Sequence, residues 1–379
     1  MISNVLPFLL FILSFFLISL FDVFNIKITK IQRDALICFS LLLLILFAGC
    51  RWTALETDAD SIFDYATYKY IYLNSPNIFH FFTELKNADS AFVYIETGYT
   101  FYCSLMYSIL GDSYNLFLLV TNLIAVLIFY KALKSNKIVQ SCIFFIFFFY
   151  ASRLYLQYNF ILVRQTIAMV IVWYAFSCLI NKEKIKFVCL VLLASTFHLT
   201  ALLAFVCFFF LKQRVNEKVI LGVIASLFLL NLFRITDSVV LNLLNYFFSS
   251  NIKYQAYLTN FWLSRPMHIL NFVEVIPFLY IVRVCKDDLV KSPIGLFYYN
   301  MFYFFLFFIV VTMNFGFLTR MTQYFMFSYI FLLSFYFERI SYKIRVQHYL
   351  ILGCYLIVYP VRYSFHWFYD FPYSDFLLK

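Results

Sequence analysis

Set aside the basic residues of the short connections, and the charged side chains that remain are few and keep polar company. Arg51 precedes a carboxylate-rich stretch of Glu56, Asp58, Asp60 and Asp64, while Glu96 stands just ahead of Gly98 and Tyr99. Arg164 heads an apolar run with Gln165 beside it, Arg320 opens Arg320-Met321-Thr322-Gln323, and His198 lies within Ala194 to Ala201. A guanidinium never loses its charge at physiological pH and donates to two phosphate oxygens in one plane. Arg51, Arg164 and Arg320, with Gln165, are therefore the side chains suited to hold a diphosphate and to stabilise charge that grows on it as a leaving group. His198, with an unperturbed pKa of about 6.5, can take a proton from a hydroxyl at neutral pH, and Asp58 and Asp60 are the rival bases. Glu96 is suited to orienting an arginine. No Gly-rich phosphate loop and no metal-ligand spacing occurs, so neither a metal nor a cofactor is expected. Snorkelling is the plain alternative for any one of these arginines. Trp52, Tyr65, Tyr99, Tyr155, Tyr158 and Trp262 are expected in an interfacial belt before sugar stacking, and His268, His348 and His366 in structural or interfacial roles.

The elements that position these residues are membrane helices. The chain has 379 residues, 64% of them hydrophobic and only 13% charged, which is too little polar surface to coat a water-soluble globule. Runs such as Leu41 to Ala48, Cys142 to Tyr150 and Leu296 to Val311 are apolar all round, which suits helices rather than the alternating strands of a barrel. Ile2 to Phe21 has no basic residue ahead of it and no small-residue cleavage site after it, so it reads as a retained helix. Nine cysteines without paired spacing argue against a disulfide framework or a zinc site.

The net charge of +10 describes topology rather than nucleic-acid binding. Lys and Arg gather in six short connections: Lys27, Lys30, Arg33; Lys131, Lys134, Lys137; Lys182, Lys184, Lys186; Lys212, Arg214, Lys218; Arg283, Lys286, Lys291; and Arg339, Lys343, Arg345. Placed in the cytoplasm, they predict about 12 crossings with both termini outside. Phe92 to Leu110 must then not cross, and is expected as a re-entrant or outer-surface helix. Between Lys186 and Lys212 the chain must enter and return on legs of about 12 residues, each reaching roughly 18 Å of a ~30 Å core. The turn of that hairpin is expected near Thr196 to Leu199, which puts His198 at its apex. Outer loops are expected at 51–91 and 234–265, the second with an interfacial helix over Val239 to Phe248. No internal repeat or linker divides the chain, so residues 1–379 read as one integral membrane domain.

The same residues resemble those of the EpsG-like and Wzy-type polysaccharide polymerases of bacterial inner membranes. Arg51 with Thr57-Asp58 and Tyr65 is similar to that family's Arg…Gly-Thr-Asp…Tyr stretch, and Glu96-Thr97-Gly98-Tyr99 to its Glu-x-Gly-Tyr. Arg164-Gln165-Thr166-Ile167-Ala168 resembles its Arg-Gln-x-Ile-Ala. Ala194-Ser195-Thr196-Phe197-His198-Leu199-Thr200-Ala201 resembles its Ala-Ser-x-Phe-His-x-Ser-Ala, and Arg320 with Tyr324-Phe325 a later Arg…Tyr-Phe. Glu56 departs from the family's usual Gly, and the stretch to Tyr65 is longer, which leaves Asp58 and Asp60 as alternatives. The resemblance implies an all-α, GT-C-like polytopic membrane helix bundle in the inner membrane. It implies a glycosyltransferase that polymerises undecaprenyl-diphosphate-linked oligosaccharide repeat units at the periplasmic face. The lipid bilayer, a polysaccharide chain-length regulator and a flippase are the partners it implies, with no nucleic acid. The alternative from another class is a carrier that flips lipid-linked oligosaccharides, which would expose a cationic cavity to each face in turn. A membrane acyltransferase and a purely structural subunit come after it.

Overall fold

The computed structural model describes residues 2–50, 64–81, 95–138, 142–212, 214–248, 270–315 and 318–367, and among these the chain is all helical, with no strand. Its helices gather into two compact units, one formed by residues 1–175, 189–199 and 334–379, the other by 176–188 and 200–333.

The first unit begins with α1 (Ile2–Val23) and α2 (Lys30–Gly49). A capping box starts α2: the Gln32 N–H donates to Thr29 Oγ1 at 3.2 Å, and the Thr29 N–H donates to Gln32 Oε1 at 2.9 Å. After α3 (Asp64–Leu73) come α4 (Thr97–Leu110) and α5 (Tyr114–Ser135). Then α6 (Ile143–Phe149) runs directly into a π-helical stretch, Tyr150–Ile161. Most of α7 (Val163–Ile180), the second half of α8 (Lys184–Phe197) and α16 (Tyr342–Trp367) complete this unit. α1 packs on α6 and on α16, and α2 on α5. That last pair meets closely at Gly49, where a Cβ would lie 2.7 Å from the Leu119 Cα, so no larger residue fits. Tyr155 of the π stretch ties down the end of α2: its hydroxyl accepts from the Ala48 N–H at 2.8 Å and donates to the Leu44 carbonyl.

In the second unit, α9 (Glu217–Leu232) starts on an Asn216 cap and turns through 94° into α10 (Asp237–Phe248). The bend is held by amides. Asn231 Nδ2 donates to the Val310 carbonyl at 3.1 Å, and Asn314 Nδ2 to the Asn231 carbonyl and to Asp237 Oδ1 at 2.9 and 2.6 Å. α11 (Leu270–Val273), α12 (Val275–Leu289), α13 (Pro293–Val311) and α14 (Thr319–Thr322) follow, then most of α15 (Phe327–Arg339). α13 opens with Pro293 in its first turn and Ser292 accepting from the Gly295 N–H at 3.0 Å.

Six helices among the described residues are long and apolar enough to span a bilayer, or seven if the bent α9–α10 pair counts as one. The about 12 crossings expected from the basic clusters are not matched by twelve such helices. The reason is local: several apolar stretches are broken or short, as in the 15 residues of α12 and the 13 of α15. The stretch expected not to cross, Phe92 to Leu110, holds a 14-residue α4, which reaches only ~21 Å. The hairpin between Lys186 and Lys212 is present: α8 is followed by a 3-10 helix, Leu199–Phe209, and Phe187 packs on Phe205 and Phe208 with ring centroids 6.1 and 4.9 Å away. Of the outer loop expected at 234–265, α10 covers residues 237–248.

Candidate functional site

Arg164, which with Arg153 is one of two buried arginines among the described residues of the first unit, organises its polar centre. The π stretch delivers the chain to Arg164 in the first turn of α7, and its wider turns are fixed by a relay of side chains. The Tyr150 hydroxyl donates to Asn159 Oδ1 at 2.8 Å, and Asn159 Nδ2 to Asn122 Oδ1 of α5 at 3.0 Å. From there on Ile167 to Trp173 and Ala175 are buried and Tyr174 is partly exposed, so α7 is anchored by packing over most of its surface. Arg164 is 6% exposed. Its Nη1 donates to Glu96 Oε2, and its Nε to the Tyr68 hydroxyl at 3.2 Å. The guanidinium also lies over the rings of Tyr68 and Tyr99, 5.3 and 6.0 Å from their centroids.

Glu96 occupies the N-cap position of α4 yet makes no capping bond there. Its carboxylate reaches outward instead, one oxygen to Arg164 and the other accepting from the Leu199 N–H at 3.3 Å. Leu199 follows His198 at the apex of the hairpin. The approach is made possible by Gly98: a Cβ there would fall on the Thr196 side chain and 2.7 Å from the Thr196 carbonyl oxygen. The start of α4 and the end of α8 thus touch backbone to side chain, and Glu96 reaches the residue after the histidine. His198 is half-buried, with its N–H donating to the Ala194 carbonyl at 3.0 Å.

An aromatic floor supports this centre. Tyr68, Ile71 and Tyr72 lie on one face of α3 at i, i+3, i+4 spacing and pack with Tyr99, Cys103, Tyr114, Phe117, Leu118 and Val163. Tyr68 and Tyr99 meet edge to face at 5.5 Å. Burial pushes the Tyr99 phenol well above its ordinary value, with Cys103 adding to the rise, so the ring against Arg164 is neutral. A buried guanidinium with one carboxylate and two rings has its charge compensated and its direction fixed, the condition for presenting it to an anion without reorganisation.

Among the sequence-predicted residues, Arg164, Glu96, Gln165 and His198 fall in the first unit, with Gln165 1% exposed next to the arginine. Arg320 belongs to the second unit, half-buried in α14, ahead of a buried Tyr324 whose hydroxyl lies 3.1 Å from Thr200 Oγ1. Arg51, Asp58 and Asp60 lie outside the described residues, as do Glu56, Trp52, Trp262 and His268. Tyr99, Tyr155 and Tyr158 are fully buried core residues rather than belt residues, because each ring is packed within the helices of the first unit. His348 makes a 2.7 Å bond to the Tyr336 hydroxyl. Among the described residues no group of three or more His, Cys, Asp or Glu could hold a metal ion. Sequence reasoning placed Thr196 and Leu199 in the hairpin turn but did not single out Tyr68, the contact of Thr196 with Gly98 or the Leu199 N–H. Of these, only Tyr68 carried a signal, the i, i+3, i+4 apolar face of α3.

Comparison with family models finds a match. The model of the EpsG family matches residues 34–377, a range that holds every residue of this centre. No curated protein and no solved structure matches.

Proposed function

The chain belongs to the EpsG family, and from that premise we propose that it is a membrane glycosyltransferase that polymerises oligosaccharide repeat units carried on a lipid diphosphate. The observation that carries the reading is the Arg164 centre: an oriented guanidinium beside a hairpin apex that bears a histidine, joined through one carboxylate. In the reaction a sugar hydroxyl of one lipid-linked unit attacks the anomeric carbon of another. The new glycosidic bond forms as the bond from that carbon to the diphosphate oxygen breaks, and the electron pair leaves on the lipid diphosphate. Arg164 and Arg320 hold the diphosphate and stabilise that developing charge, with Arg51 assisting, and Gln165 is a further diphosphate-binding side chain. His198 takes the hydroxyl proton, and Asp58 and Asp60 are the alternative bases. Glu96 positions: it aims the guanidinium and holds the histidine's hairpin. The lipid is undecaprenyl diphosphate and the working face is the periplasmic side of a bacterial inner membrane.

Purified protein given lipid-linked repeat units tests this reading. Elongation should release one lipid diphosphate per bond formed, without a nucleotide sugar. Transfer of intact repeats across a vesicle with no new bond would instead identify a flippase. For the base, His198→Ala should lose turnover at neutral pH. Near-normal turnover across pH would move the role to an aspartate.

A further inference from the structure

A second arginine cluster lies apart from the Arg164 centre, where two of the six basic connections meet. Asp22, 4% exposed, closes α1. Its Oδ2 accepts from the Phe144 and Phe145 N–H groups at 2.6 and 3.1 Å, and its Oδ1 lies 3.3 Å from Arg33 Nη2. Arg345, 312 residues further along, donates from Nη1 to the Asp22 carbonyl at 3.4 Å. Arg33 is the fourth residue of α2 and Arg345 the fourth of α16, so both guanidinium groups stand at helix starts, where backbone N–H groups add positive potential. Each has a buried Nε with no hydrogen-bond partner. The surroundings are basic as well: Lys27, Lys30 and Lys343 are exposed on the adjoining turns. Asp22 thus meets Arg33 through its carboxylate and Arg345 through its backbone carbonyl, so one buried negative charge stands against two guanidinium groups, with the acidic Asp34 beside Arg33 exposed. The Arg33 side chain remains 28% exposed, so part of its guanidinium group is open to a ligand.

We propose that Arg33 and Arg345 form a binding site for the phosphate of an anionic phospholipid at the cytoplasmic edge of the membrane. A phosphodiester oxygen accepts from the exposed part of the Arg33 guanidinium, and its negative charge balances the second guanidinium. The lysines on the adjoining turns favour a headgroup with net negative charge over a zwitterionic one. Bound there, the lipid clamps α1, α2 and α16 at one end and stabilises the folded chain.

The test uses the full-length protein, delipidated in neutral detergent and unfolded by heat. Short-chain phosphatidylglycerol, phosphatidylcholine of the same chain length, and sodium phosphate are added separately. Phosphatidylglycerol should raise the midpoint well beyond phosphatidylcholine. Arg33→Gln and Arg345→Gln should raise the half-effective concentration roughly tenfold or more, while Arg214→Gln at another basic connection should leave it unchanged. Where a Gln variant does not fold, Arg345→Lys keeps the charge but loses the planar fork, and should weaken the phosphatidylglycerol effect with the fold intact. Equal stabilisation by the two lipids, or an unchanged response in the Arg345 variants, overturns the site. A shift by sodium phosphate that matches phosphatidylglycerol and is lost in Arg345→Lys overturns the lipid as its source in favour of a soluble phosphate.

Discussion

Asp22 and Glu96 are both carboxylates held by a guanidinium in the first unit, yet they use their oxygens differently. Asp22 gives one oxygen to two backbone N–H groups at the start of α6, capping from 122 residues away a helix that has no capping side chain of its own. Glu96 stands where it would cap α4 and leaves that position unused, reaching instead to Arg164 and to the Leu199 N–H. A capping aspartate with its arginine as second partner is a structural fastening, strong because its removal leaves helix N–H groups and a cation unpaired. A glutamate that forgoes its own helix end to aim one buried cation and hold one hairpin is arranged for position. The difference teaches that similar ion pairs separate by what the carboxylate caps, not by burial alone.

The largest expected effect lies on the Glu96 side. Arg164→Ala should abolish elongation beyond a single repeat, whereas Arg33→Gln should leave the polymer essentially intact, both read as product length on lipid-linked repeats. Equal losses would erase the distinction between the two sites. Next, Asp22→Ala should destabilise the protein by about 3–5 kcal/mol through the orphaned Arg33 and helix N–H groups, measured by unfolding in detergent. A much smaller loss would show that the fastening is not structural. Gly98→Ala should cost about 1–3 kcal/mol by overpacking against Thr196 and should slow elongation as well. Gly222→Ala, with nothing within 4 Å of its added Cβ, should gain ~0.5–1 kcal/mol as a helical glycine is replaced. Tyr68→Phe removes the hydroxyl that accepts from Arg164 Nε and should cost about 1.5 kcal/mol, with elongation reduced but present.

What could be read in the sequence followed its local and periodic signals. The hairpin with His198 at its apex was legible because two basic clusters leave too few residues between them for two full crossings. The all-α membrane class followed from runs that are apolar on every side. The family was legible from short ordered pieces around Arg51, Glu96, Arg164, His198 and Arg320. The count of long helices was not, since a π stretch continuing α6 and a bend after Leu232 look in sequence like any other apolar run. Nor were the contacts that make the centre: Tyr68 on Arg164, Gly98 on Thr196 and Asp22 on the start of α6 join residues about 100 apart, and no periodicity encodes them. Three of the four tyrosines expected in a belt, Tyr99, Tyr155 and Tyr158, went inward because their rings pack among the helices, and Tyr155 also bonds through its hydroxyl at Ala48.

The most direct measurement is the length distribution of polymer made by membrane-inserted Arg164→Ala from lipid-diphosphate-linked repeat units, beside the unaltered protein. Single unextended repeats with normal insertion are the expected result. A full ladder of long polymer from the variant would contradict the claim that this guanidinium stabilises the departing diphosphate.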